Sequence, residues 1–277
     1  MKMTGKLYVV GTPIGNLGDM SPRAEETFNK VDFIAAEDTR VTLKLLNRFG
    51  IKKPLVSYYE HNIRERGEQI IARLASGESC AVVTDAGMPC ISDPGEDLVR
   101  LCHENGIEVV AVPGPSAVVS ALAISGQSTG RFCFEGFLST AKKQRTEHLE
   151  ALVGEERTMI FYEAPHKLRS TLADMLEYFG NREISLCREL TKLHEEVVKT
   201  TLEEAVRLYE ELAPRGEYVL VVAGAKPDVP EELTVEDAVK EVQRLVESGE
   251  KLTEACKQLS KRTGFKKSEL YSLADRD

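Results

Sequence analysis

Four short strings rich in glycine and proline, each closing an apolar run, constrain this chain more than any other feature. They are GTPIGNLGD at Gly11 to Asp19, AEDTR at Ala36 to Arg40, DAGMPCISDPG at Asp85 to Gly95 and PGPSA at Pro113 to Ala117. Apolar runs such as KLYVV and CAVVT that end in these strings read as buried parallel strands whose carboxyl ends open into tight loops. In open α/β sheets that edge is where ligands bind. Four such loops within the first 117 residues predict a small-molecule site built largely from main chain, because Gly and Pro offer little else.

Length and composition bound the rest. With 277 residues the chain has room for two domains and an appendage. No stretch approaches the roughly 18 apolar residues of a membrane span, and the first residues lack a signal-peptide layout, so a cytoplasmic protein is expected. The six cysteines (Cys80, Cys90, Cys102, Cys133, Cys187, Cys256) are scattered without CxxC pairs or histidines at ligand spacing. They read as reduced core residues, and neither a zinc site nor a disulfide frame is expected. A formal charge of -9 argues against indiscriminate nucleic-acid binding. Two segments differ: Arg40 to Arg66 has seven basic and two acidic residues, and Lys251 to Lys267 six basic and one acidic. Basic runs are commonly plain solvated faces.

Strands are predicted at Leu7–Val10, Phe33–Ala36, Leu55–Ser57, Cys80–Thr84 and Val109–Val112. Helices fall between them, with Ser21-Pro22 as an N-cap and first helical proline, and Asn62 with Glu65 as a capping box. This alternation predicts a parallel sheet covered on both faces. PGPSAVVSALAISG opens a helix of small residues. Beyond it, strands at Phe132–Glu135, Met159–Glu163, Ile184–Arg188 and Tyr218–Ala223 alternate with helices near Arg145–Val153, His166–Tyr178 and Leu202–Leu212. The segment AKPDVPEE reads as a linker. Three amphipathic helices follow at Thr234–Glu247, Leu252–Lys261 and Lys267–Leu273, the last two in a helix-turn-helix arrangement. The predicted division is an α/β domain over 1–117, a second over 118–226 and a helical tail over 227–277.

The loops suggest their own chemistry. GTPIGNLGD is neither GxGxxG nor a phosphate loop, although Glu37 or Asp38 at the usual distance leaves a nicotinamide site conceivable. Asn16 and Asp19 beside glycines can present convergent polar groups. DAGMPCISDPG is too rich in Gly, Pro and Asp for regular structure and suits a flat ligand held by main-chain groups. PGPSA adds the Ser116 hydroxyl and the first free amides of a helix, donors that suit an anionic group. Asp38 has a plain alternative as the cap of the following helix, with Arg40 as its local ion-pair partner.

Together with FYEAPHKL at Phe161 to Leu168 and CRELTKLHEE at Cys187 to Glu196, these strings resemble, in order, the ribosomal-RNA branch of the tetrapyrrole methylase superfamily. The resemblance covers nearly the whole chain, the helical tail included. It implies two α/β domains with S-adenosyl-L-methionine in the cleft between them, plus a small C-terminal helical domain. It further implies 2'-O-methylation of a cytidine ribose in small-subunit (16S) ribosomal RNA by a homodimer, with the RNA met within the small ribosomal subunit. The third loop reads Asp85-Ala86-Gly87 where the superfamily usually has Gly-Asp-Pro, so no side-chain role carries over from the porphyrin branch there.

The cofactor residues so implied are Pro13, Asp85, Ala86, Gly87, Met88, Ser116, Ala117, Tyr162 and Ala223. Methyl transfer to a hydroxyl needs alignment and a base. The candidates are Asp38 first, then Glu37, Glu163, Glu189 and His61, with Arg40 and Lys192 as positioning cations. Asn16, Tyr59, His61, His166 and Lys167 are the candidate RNA contacts, since aromatic rings beside basic side chains suit unstacked bases and phosphates. No metal is expected. The competing readings are a methyltransferase for a tetrapyrrole or other small acceptor, and a nucleotide-sensing nucleic-acid binder without turnover.

Overall fold

The computed structural model describes residues 4–93, 95–226 and 234–275. Most of the AKPDVPEE linker, residues 227–232, lies outside them, as does Pro94 of the third loop. The described residues form two compact units, 1–225 and 226–277.

The first sheet contains β1 (Lys6–Val10), β2 (Phe33–Ala36), β3 (Leu55–Ser57), β4 (Cys80–Val83) and β5 (Glu108–Val112). All pair in parallel, in the order β3-β2-β4-β1-β5. Strand side chains alternate between faces, and both faces are apolar, so each is covered by helices. Tyr8, Val10, Ile34 and Ala36 pack with Phe28 of α1 (Pro22–Lys30) and Leu46 of α2 (Thr39–Arg48). Leu7, Val9, Phe33 and Ala35 pack with Ile70 and Leu74 of α3 (Ile63–Ala75) and Leu98 of α4 (Glu96–Glu104). Each fully buried side chain of this size contributes about 1.5–3 kcal/mol.

Local caps place these helices. Ser21 Oγ accepts from the Ala24 amide at 3.1 Å, and Pro22 takes the first helical position. Asn62 departs from the predicted capping box: it makes no cap bond to α3. Its Oδ1 accepts from the Tyr59 amide and its Nδ2 donates to the Ser57 carbonyl, so it fastens the preceding turn.

The order of the first sheet creates a reversal point. The chain leaves β1 toward β2 on one side, whereas from β4 it crosses to β5 on the other. The carboxyl ends of the neighbours β1 and β4 therefore open a crevice.

The second sheet contains β6 (Phe132–Phe137), β7 (Thr158–Glu163), β8 (Glu183–Arg188), β9 (Glu196–Thr201) and β10 (Tyr218–Val222), in the order β6-β7-β10-β8-β9. Only β6 and β7 run parallel; β10 is antiparallel to both of its neighbours. α5 (Ala117–Ile124) lays Val118, Ala121 and Leu122 on one face, against Ile160, Cys187 and Val221. α6 (Lys142–Ala151), α7 (Leu168–Phe179) and α8 (Leu202–Glu211) cover the other. β9 was not anticipated from sequence. EVVKTT is an edge strand with no fully buried residue, so it carries little hydrophobic signal.

The second unit holds α9 (Val235–Glu247), α10 (Leu252–Thr263) and α11 (Lys267–Ala274) around Ala238, Val242, Ala255, Cys256, Leu259 and Leu270. Gly264, at φ 78°, ends α10 in the left-handed conformation that glycine adopts freely. All six cysteines are free thiols. Among the described residues, no helix is long and apolar enough to cross a membrane.

Candidate functional site

The crevice at the reversal point is closed by main chain. Thr12 and Gly87 exchange two backbone hydrogen bonds, Thr12 N to Gly87 O at 2.9 Å and Gly87 N to Thr12 O at 3.1 Å. Gly11 and Gly114 meet so closely that a Cβ on Gly11 would stand 2.7 Å from the Gly114 Cα. The glycines of the first and fourth strings thus let the two loops stack backbone on backbone. Gly87 takes φ 84° with its α-carbon facing Ile14. In β6 the register slips between Phe134 and Gly136, and Gly136 lets the Ser92 hydroxyl come close.

Above this floor lies a cavity of about 430 Å³ between the two sheets of the first unit. Ile14, Ala86, Gly87, Met88, Ser116 and Ala117 line it from the first-sheet loops, and Phe137, Tyr162, Glu163, Leu190 and Val219 from the second sheet. Tyr162 packs against Phe134 and Phe137 with ring centroids 4.9 and 5.4 Å apart, forming an aromatic wall. Ser116 stands at the N-terminus of α5 and makes no side-chain cap bond, and one of the first amides of that helix, Val118 N, donates to the Tyr162 hydroxyl on the facing wall.

Six of the nine predicted cofactor residues line this cavity: Ala86, Gly87, Met88, Ser116, Ala117 and Tyr162. Pro13 and Asp85 are immediate neighbours of lining residues. Ala223 does not line the cavity. Because β10 runs antiparallel to β7, its first residues reach the cavity, where Tyr218 pairs with Glu163. Ala223 sits at the opposite end, beside Glu156 and Arg157.

The candidate bases separate. Asp38 does not line the cavity. It caps α2 by accepting from the Arg40 amide at 2.8 Å, and its Oδ2 pairs with Arg40 Nη2 at 2.6 Å. Hydrogen bonds from Arg40 pull its carboxyl down to about 2. Glu37 Oε2 accepts from the Thr84 hydroxyl at 2.5 Å and from the Asp85 amide at 3.4 Å. Asp93, a residue the sequence reading passed over, lines the cavity itself. Burial, then the nearby Glu37 charge, push its carboxyl up to about 6; burial and Glu37 also raise Asp85. Glu163 is buried and already accepts from the Ala164 amide at 2.8 Å and from the Thr171 hydroxyl.

Lys192 bridges Glu189 and Glu217, both at 2.9 Å. Burial lowers its pKa, but the hydrogen bonds to Glu217 and Glu189 outweigh this and raise it. Its stem lies over Gly15, where a Cβ would stand 2.5 Å from Lys192 Cγ. Glu189 and Thr191 in this loop, like Cys90 and Ser92 in the third string, hold positive φ, between 51° and 71°. Such conformations cost energy and concentrate at ligand sites.

The predicted RNA contacts lie outside the cavity. Tyr58 is core, with burial pushing its hydroxyl up to about 12, whereas Tyr59 is partly exposed and packs edge-on with His61 at 6.1 Å. Asn16 caps a short turn by accepting from Gly18 N at 2.9 Å. His166 is exposed beside Pro165, a lining residue, and Lys167 is the N-cap residue of α7. Among the described residues, no cluster of three His, Cys, Asp or Glu side chains is arranged to hold a metal ion.

A two-sheet α/β fold with a main-chain cavity at the reversal point defines a class, and the model of the Tetrapyrrole (Corrin/Porphyrin) Methylases matches residues 6–206. A solved uroporphyrin-III C-methyltransferase from Thermus thermophilus, complexed with S-adenyl homocysteine, superposes with a TM-score of 0.56 at 15% identity, covering 79% of this chain and 97% of that one. The "Ribosomal RNA small subunit methyltransferase I" of Synechocystis sp. is 47% identical over 271 residues, 98% of this chain and 97% of the relative. The protein of the same name from Thermotoga maritima is 50% identical over 220 residues, 79% of this chain and 99% of the relative. The chain belongs to the tetrapyrrole methylase family, in its ribosomal RNA small subunit methyltransferase I branch, and is a methyltransferase.

Proposed function

We propose that the enzyme methylates the ribose 2'-hydroxyl of a cytidine in small-subunit ribosomal RNA, using S-adenosylmethionine held in the cavity, in the cytoplasm and as a homodimer. One observation carries the cofactor assignment: a cavity of about 430 Å³ whose floor is main chain and whose wall is aromatic. That volume is in the range of small-molecule sites. The uncapped Ser116 hydroxyl at the start of α5 suits a carboxylate, Tyr162 and Phe137 suit a flat ring, and the missing Cβ at Gly87 leaves room for close approach. The predicted division at 117 and 226 stands as part of this reading, each α/β part contributing one wall.

When bound, S-adenosylmethionine supplies an electrophilic methyl group on a sulfonium. The residues of the chain supply alignment and proton removal. Fixed loops on both sides of the cavity set the attack geometry, an effect worth about 7–11 kcal/mol when reactants are fully oriented. Asp93, at the cavity wall with a carboxyl near 6, is the group suited to take the hydroxyl proton at neutral pH. Asp38 and Arg40 hold the start of α2, where the Asp38 amide donates to Asp85 Oδ1 at 3.3 Å. Tyr59, His61, His166 and Lys167 are the proposed RNA contacts. The outward face of α5, with Val119 and Ile124 exposed, is the proposed contact between two copies.

The test is transfer of labelled methyl groups to small ribosomal subunits and to naked ribosomal RNA from cells lacking this protein, with mass spectrometry of the nucleosides. A 2'-O-methylcytidine product supports the reading. Cofactor binding without RNA incorporation would move the search to small acceptors.

A further inference from the structure

The helical tail separates its charges. Between Val235 and Glu254 there are six acidic and three basic residues, whereas from Ala255 to Lys267 there are five basic residues and no acidic one. The five, Lys257, Lys261, Arg262, Lys266 and Lys267, are all exposed. They cluster at the end of α10, the Gly264 turn and the start of α11. Lys257 pairs with Glu254 at 3.5 Å, and among the described residues the other four have no ion pair.

Helix stability explains only half of this cluster. Lys261 and Arg262 complement the negative end of α10. Lys266 and Lys267 stand at the N-cap and first position of α11, where the dipole favours acidic residues and where neither supplies a cap oxygen. The apolar core of the unit runs through Ala255, Cys256, Leu259 and Leu270, so none of the four is needed for packing. The Thermotoga maritima relative is matched along 99% of its length by 79% of this chain, so about a fifth of this chain has no counterpart in that protein. Charge placed against local stability on a separate compact unit calls for an anionic partner.

We propose that the turn between α10 and α11 is a docking surface for a ribonucleic acid backbone, with Lys261, Arg262, Lys266 and Lys267 on phosphates. The inference rests on the RNA-methylating function proposed above. These contacts are electrostatic and add affinity without reading sequence. The tail then acts as a grip that raises the local concentration of ribosomal RNA at the enzyme and leaves the choice of nucleotide to the cavity mouth.

The test compares the full-length wild-type chain with K261E/R262E/K266E/K267E, measuring binding to naked small-subunit ribosomal RNA and to assembled subunits across a potassium chloride series. Acidic residues at the start of α11 suit that helix end, and the neutral pair K266A/K267A provides a milder second variant. The quadruple variant is expected to bind both substrates at least ~10-fold more weakly at low salt, with a log–log salt slope shallower by about 3; K266A/K267A should show about half that change. S-adenosylhomocysteine binding should be unchanged in both variants; the thermal midpoint should be unchanged in K266A/K267A, while K261E/R262E lowers it slightly by opposing the negative end of α10. Unaltered affinity and slope would overturn the proposal. So would a loss confined to assembled subunits, which would mean that the tail meets ribosomal protein. If wild-type enzyme neither binds nor methylates either substrate, the parent reading fails instead.

Discussion

Arg40 holds Asp38 through four contacts: its amide to Oδ1 at 2.8 Å, Nε to Oδ1 at 3.0 Å and to Oδ2 at 3.2 Å, and Nη2 to Oδ2 at 2.6 Å. A carboxylate so occupied, with its pKa near 2, is a poor proton acceptor and a good helix cap. Asp38→Asn should therefore keep single-turnover methylation within about threefold of wild type, since Asn caps as well as Asp. Asp93→Asn should lower it by about 10²–10⁴, the usual worth of a positioned base. The opposite ranking would return the base to Asp38.

The raised carboxyl of Asp93 gives activity and stability opposite pH trends. Activity needs the ionised form, so the rate should climb with unit slope up to pH about 6 and then level. Stability runs the other way. With the folded pKa above the unfolded value, the contribution of Asp93 is full below the ordinary carboxylate range and is lost as pH rises through about 6. Asp93→Asn should thus raise the melting temperature at pH 8 relative to wild type and change it little at pH 4. Equal effects at both values would remove Asp93 from the titrating set.

Filling the cavity should abolish cofactor binding without unfolding the chain. Ala117 lines the site at the start of α5, and Ala117→Trp places an indole in the space proposed for the ligand. Calorimetric titration with S-adenosylhomocysteine should give no detectable heat for Ala117→Trp and near-normal affinity for Ser116→Ala, because main-chain groups make most contacts. Wild-type affinity in the tryptophan variant would displace the site.

How much of this was legible in the sequence depends on where each signal resides. The five strands of the first sheet were readable because runs such as CAVV are apolar on both faces and end in Gly or Pro strings. The second sheet was harder, because direction leaves no trace in an apolar run. YVLVV looks the same parallel or antiparallel, so its sequence does not say which end, Tyr218 or Ala223, reaches the cavity. EVVKTT hid as an edge strand. Asp93 lies in plain view inside DAGMPCISDPG, yet its distinction comes first from burial and then from the charge of Glu37, and only tertiary structure supplies either. Asn62 had the spacing of a cap, but the Ser57 carbonyl and Tyr59 amide compete for its side chain successfully.

The α5 helix supplies a prediction about assembly. Its sequence, AVVSALAI, is apolar on every side except Ser120, the pattern of a helix covered all round. Val118 and Leu122 are buried on the second sheet, but Val119 and Ile124 remain 57% and 46% exposed. Val119→Asp with Ile124→Asp should convert a dimer to a monomer in light-scattering measurements. A wild-type chain that is already monomeric would leave that face without the proposed role.

The mutual hydrogen bonds of Thr12 and Gly87 involve no side chain, so amino-acid replacement at neighbouring positions has little purchase on them. A wall of this kind is a curvature of the chain rather than a set of side chains. In the function proposed above the donor pocket is then a fixture, and the choice of what receives the methyl group is left to the side chains of the rim.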